Sequence, residues 1–162
     1  MKKILIFLLI IFIVIQFFHP AKNQAMDNAA FAGDISMVYN VPDSVRKILT
    51  ASCYDCHSNN TNYPWYNNIQ PVAWWLNHHV TQGKKELDFS EFASYPISRK
   101  YKKINAIIKE IKSDGMPLSS YTLIHRNAIL SPEQKDLLIN WATIISDSIK
   151  ANTPADSLKK KK

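Results

Sequence analysis

Residues 51–66 read ASCYDCHSNNTNYPWY, and they hold the only two cysteines of this 162-residue chain, Cys53 and Cys56, with His57 directly after the second. A disulfide between them would close a very small ring, and the gain from restricting the unfolded chain grows with loop length, so little stability would follow. A structural zinc site takes four ligands, commonly two pairs of cysteine or histidine. No second cysteine pair exists, and His78 and His79 are adjacent in sequence, so on a helix they point about 100° apart. A thioredoxin-like dithiol belongs at a helix start after a strand, in a βαβ setting. No alternating apolar segment of this chain reads as a strand.

The flanking sequence is helical instead. Val45, Ile48 and Leu49 recur at i, i+3 and i+4 after Pro42-Asp43, a pattern that predicts a helix delivering the chain into Cys53. The following SNNTNYPWYNN, residues 58–68, is a loop by composition. Pro71 suits a first helical turn, and Val72, Trp75, Leu76 and His79 then share one face. A short helical turn is expected around Phe89 to Ala93. Ser98 is the expected cap of a helix carrying Tyr101, Ile104, Ile107, Ile108 and Ile111, stopped by Gly115 and Pro117. Ser131-Pro132-Glu133-Gln134 has the order of a capping box with proline at the first helical position. The inward face of that last helix is expected to be Leu137, Leu138, Trp141, Ile144 and Ile145. The predicted fold class is all-α, with one helical domain over residues 41–150.

In an all-helical setting His57 explains the cysteine spacing. Two thiols three residues apart on one helical turn match the two vinyl groups along one edge of a haem. A histidine directly after the second thiol lies beneath the macrocycle, where its imidazole can bind iron, which is why C-x-x-C-H is the attachment signature of c-type haem. The expected cofactor is one covalently attached haem c, held by Cys53 and Cys56 with His57 on the iron.

Such attachment follows export, and the N-terminus reads MKKILIFLLIIFIVIQFF over residues 1–18. Lys2 and Lys3 before an uninterrupted apolar run mark a signal or anchor segment. The run from Ile4 to Phe18 is shorter than the roughly 20 residues of a spanning helix, yet no clear A-x-A-like cleavage site follows. The reading favours an uncleaved anchor with its lysines in the cytoplasm, residues 19–40 as a tether, and an exported, periplasmic domain anchored to the inner membrane. The net charge of +7 is concentrated in the tails. Residues 151–162 end in Lys159 to Lys162 and read as a basic disordered tail. The domain itself is mildly basic and shows no basic stretch interleaved with stacking aromatics, so no nucleic-acid partner is expected.

The sixth position on the iron separates electron carriers from enzymes. Candidates are Met37, His78, His79, His125 and Met116. Met37 falls in the tether and His78 points away from the apolar face. His79 shares that face with Trp75 and Leu76, where a packed, hydrogen-bonded role is the ordinary one, and His125 lies in the loop YTLIHRNAIL. Met116 stands between Asp114-Gly115 and Pro117, on a stiff non-helical segment ill suited to the usual gap-filling of a core methionine. It is the favoured sixth ligand.

The run CYDCHSNNTNYPWYNNIQPVAWWLNHHVTQGKKELDFSEF, followed by DGMPLSSYTLIH and LSPEQKDLLINWA, resembles the bacterial haem-binding domain family of small c-type cytochromes over about residues 40–150. The resemblance implies a monohaem domain in the cytochrome c style, with Cys53 and Cys56 attached, His57 proximal and Met116 in the position of the Met-Pro element. The leading expectation is electron transfer outside the cytoplasm to a redox partner protein, with Tyr63, Trp65, Tyr66, Trp74 and Trp75 walling the macrocycle. The alternative is a haem enzyme or ligand sensor with an open or displaceable sixth site, peroxidase-like, using His79 or His125 as a distal acid or base. A third reading is a structural module in which haem serves folding and the aromatic surface docks a partner.

Overall fold

Ser131 opens the longest helix, α7 (Pro132–Ala151), as the capping box predicts. Its hydroxyl accepts from the Gln134 N–H at 3.2 Å, and Gln134 Oε1 accepts from the Ser131 N–H at 2.8 Å, so two donors that the helix leaves unpaired are satisfied. The buried face is rotated from the expected one. Leu138, Trp141, Ala142, Ile145 and Ile149 are buried, whereas Leu137 is exposed and Ile144 is 61% exposed. Both Leu137-Leu138 and Ile144-Ile145 are apolar pairs, so the pattern admits two faces about 100° apart. Packing against α5 (Ile97–Lys112) selects one of them.

The structure, a computed structural model, describes residues 1–25 and 33–158, and within these it is all-helical. In α5, Ile104 and Ile111 are buried and Tyr101, Ile107 and Ile108 pack at the edge of the core. Pro96 precedes the helix, so Ser98 lies inside its first turn rather than capping it. At the other end Asp114, not Gly115, adopts the left-handed backbone at φ 55°, a conformation that aspartate tolerates better than most residues. The Gly115 N–H closes the end on the Glu110 carbonyl at 2.9 Å.

Across this pair lies α2 (Asp43–Ser52), which buries Val45, Ile48 and Leu49. A 3₁₀ turn over Phe89–Ser94, capped by the Asp88 carboxylate on the Ser90 N–H at 2.9 Å, adds Phe89 and Phe92. The indole N–H of Trp141 donates to the Asn40 carbonyl at 2.9 Å and ties α7 to the start of α2. The remaining helices are α1 (Lys2–Ile15), α3 (Tyr54–His57), α4 (Val72–Glu86), α6 (Ser119–Thr122) and α8 (Ala155–Leu158).

Two stretches expected to hang free are built into the fold. In the expected tether, Ile35 is fully buried in the core. Residues 23–25 run along residues 59–61, with the Thr61 N–H on the Asn23 carbonyl and the Ala25 N–H on the Asn59 carbonyl, both at 2.9 Å. Beyond residue 150 the chain continues into α8, whose Leu158 packs against the core; Lys159 to Lys162 lie outside the described residues. The expected anchor is altered too. Among the described residues no helix is long and apolar enough to cross a membrane, and α1 ends at Ile15 with no buried residue.

Candidate functional site

The site begins where α2 runs out. The Cys53 N–H still bonds to the Leu49 carbonyl at 2.9 Å, and α3 then makes one turn in which the Cys56 and His57 N–H groups return to the Cys53 carbonyl at 3.2 and 3.0 Å. Ser58 is extended and stops the turn, its hydroxyl donating to the Tyr54 carbonyl at 2.7 Å. Behind α3 lies α4, and at Gly83 the two backbones nearly touch. A Cβ on residue 83 would sit 2.5 Å from the Cys56 carbonyl oxygen, so only glycine permits this approach.

That approach orients the histidine. His57 Nδ1 lies 2.9 Å from the Gly83 carbonyl and 2.9 Å from the Leu87 carbonyl. Carbonyls only accept, so Nδ1 carries the proton, and in the neutral ring Nε2 keeps the free lone pair. A histidine held in this way through one nitrogen is set to bind a metal through the other.

Two adjoining cavities open beside it, of about 170 and 330 Å³. Cys53, His57 and Met116 line both, Cys56 lines the first, and Leu49, Phe89 and Ile107 add apolar wall to the second. The four residues singled out from sequence are thus brought together. Met116 is half-buried against the core, with its N–H on the Glu110 carbonyl at 3.3 Å. Both cysteines are free thiols. Burial, then the neighbouring Cys56, pushes the Cys53 thiol up to about 12; burial, then Asp55, pushes Cys56 up to about 11. An activated dithiol has its thiol lowered instead. Among the described residues no group of three or more His, Cys, Asp or Glu side chains could hold a metal ion.

The other sixth-ligand candidates are disposed differently. Met37 and His78 are exposed. His79 lines the smaller cavity with Met116 and meets the Trp75 ring edge-on at 4.4 Å; desolvation and then His78 lower its proton affinity. His125 is committed elsewhere. Its Nε2 lies 2.7 Å from the Tyr66 hydroxyl and its ring stacks on Tyr121 at 4.3 Å, while the Tyr121 hydroxyl donates to Asp55 Oδ2 at 2.7 Å. Burial and this carboxylate raise the Tyr121 pKa. Nothing in the sequence marked Tyr121 or Asp55 as partners, since 66 residues separate them. The expected aromatic wall is partial: Tyr66 and Trp75 line a small cleft beside Cys56, but all three tryptophans of the set, Trp65, Trp74 and Trp75, are exposed.

The model of the haem-binding domain family matches residues 10–144. This chain belongs to that haem-binding family. The match runs from within α1 to the middle of α7, so this haem-binding domain takes in both cavities, the Gly83 contact and the foot of the N-terminal helix. Searches of curated proteins and of solved structures return no match.

Proposed function

We propose that this haem-binding domain is a monohaem c-type cytochrome that carries electrons outside the cytoplasm, anchored to the inner membrane and serving a redox partner protein. In this reading Cys53 and Cys56 would hold the haem through thioether bonds, and His57 Nε2 and Met116 Sδ would hold its iron. The observation that carries it is the double hold on His57 Nδ1 by the Gly83 and Leu87 carbonyls, which leaves Nε2 as the lone-pair nitrogen in a cavity shared with both cysteines and Met116. The donor set suits the group: two free thiols at attachment spacing, one imidazole and one thioether.

Haem, when bound, supplies a one-electron iron couple whose potential follows its ligands and their hydrogen bonds. The chain's own part is orientation and exclusion of water. The two carbonyls fix the ring plane of His57 and the nitrogen that it offers. A methionine thioether as second ligand favours the reduced state and raises the potential. Leu49, Phe89 and Ile107 keep one wall apolar.

The test is production in a host with c-type maturation. Intact mass should rise by one haem, and the alkaline pyridine spectrum should be that of a thioether-bound haem. Cys53→Ala and Cys56→Ala should each lose one of the two bonds, and Met116→Ala should lose the near-infrared sulfur-to-iron absorption. Wild-type protein of unmodified mass and without haem would overturn the reading. A displaceable sixth site is the second reading, favoured by His79 lining the same cavity as Met116; carbon monoxide or cyanide binding to the untreated protein would support it.

A further inference from the structure

Gln70 is fully buried, although it lies in a turn before α4 and lines neither cavity beside His57. Its partners sit at the foot of α1. The Gln70 N–H donates to Gln16 Oε1 at 2.8 Å, its Nε2 donates to the Phe18 carbonyl at 2.7 Å, and Gln16 Nε2 donates back to the Gln70 carbonyl at 3.3 Å. The Trp74 indole N–H reaches the same Phe18 carbonyl at 2.9 Å. A buried amide is tolerated because it is hydrogen-bonded; here residues 16–18 supply the partners of the Gln70 N–H, carbonyl and Nε2, while its Oε1 accepts from the Trp74 backbone N–H at 3.3 Å. A cut after residue 18 or in the residues just beyond it would strip the partners from residues 16–18 away. The N-terminal helix is therefore bolted to the domain.

The surface around the bolt is apolar and open to solvent. Phe17, Phe18, Trp65, Ile69 and Trp74 are between 37% and 81% exposed. They adjoin a helix whose every side chain from Ile4 to Val14 is at least 42% exposed. A helix apolar all round is made for a protein core or for lipid, and α1 has no core against it. Indole rings with a polar edge suit the boundary between headgroups and acyl chains. The α1 helix of 14 residues is only about 21 Å long, short of a hydrocarbon layer of about 30 Å. An aromatic rim seated at one end and snorkelling lysine stems at the other make up such a mismatch.

We propose that the N-terminal helix is retained in the mature protein, and that the Gln70 clasp mounts the domain with Phe17, Phe18, Trp65, Ile69 and Trp74 seated in a lipid bilayer interface. The proposal rests on the membrane-anchored reading above and adds a fixed orientation to it. A flexible tether would let the domain tumble; this clasp holds the Cys53–His57 cavity at one height above the lipid.

The experiment uses full-length holoprotein extracted from membranes and reconstituted into vesicles of phosphatidylethanolamine and phosphatidylglycerol carrying a diazirine in the acyl chain. Intact mass of the extracted protein should include residues 1–18; a mature chain beginning after them overturns the proposal. After photolysis, peptide mapping should find lipid adducts on the segment around Trp65 to Trp74 as well as on α1, and none on α7. Gln70→Ala should lower the adducts around residues 65–74 several-fold and leave those on α1 unchanged, with Trp74→Phe as the second variant should the first not accumulate. Adducts confined to residues 1–18 in the wild type would sink the seated orientation while leaving the anchor intact. A protein that neither floats with vesicles nor takes up any adduct would sink both.

Discussion

In the α5–α7 pair, Ile104, Ile111, Leu138, Trp141 and Ile145 bury apolar side chains against one another, and long helices carry them. In α3, a single turn of four residues with none buried, position comes from the Gly83 contact and from hydrogen bonds to His57 and Asp55. Isolated turns of that length do not persist in water. The first region is the platform; the second is a wall beside two cavities and gains order from what surrounds and fills them. Stability and function are therefore read from different residues in this domain, and substitutions on the two sides should separate.

The largest effect belongs to the platform. Ile104→Ala removes a fully buried side chain that lines neither cavity, and should cost about 2–5 kcal/mol in urea denaturation with the visible spectrum unchanged. A shifted spectrum would mean that the two regions are not separable. Gly83→Ala puts a Cβ 2.5 Å from the Cys56 carbonyl and should cost about 2 kcal/mol, as overpacked sites do. Unlike Ile104→Ala it should also lower the reduction potential or the yield of haem-bound protein, because the carbonyls on His57 move with α4. Tyr121→Phe deletes the hydroxyl bonded to Asp55, for about 1.5 kcal/mol at a charged acceptor, and thermal melts should show the loss. Ser131→Ala removes the α7 cap at about 1 kcal/mol; hydrogen exchange should quicken in the first turn of α7 and stay unchanged in α3.

Much of the helical frame is legible because its signals are local. The capping box at Ser131, the proline before α4 and the i, i+3, i+4 stripe of α2 each act within one or two turns, so neighbouring letters suffice. The inward face of α7 is not legible for a physical reason: two adjacent apolar positions per turn, Leu137-Leu138 and Ile144-Ile145, leave the rotation undecided until α5 packs on one of them. Residues 23–25 lie in a stretch of small and polar composition that reads as a tether, and only their long-range partners Asn59 and Thr61 show that they are held; the Leu158 contact with the core is likewise invisible beside a terminal lysine run.

By itself the sequence determined what depends on spacing along one chain: helix starts, an all-helical class, an apolar N-terminal run, and two thiols and an imidazole set one turn apart. Tertiary structure decided which atoms meet. The partners of His57 are backbone carbonyls, present in every residue and unmarked by any letter, and only the close passage of α4 at Gly83 turns two of them toward Nδ1. The same holds for His125, taken by Tyr66, and for Gln70, whose burial has meaning only once the foot of α1 lies against it.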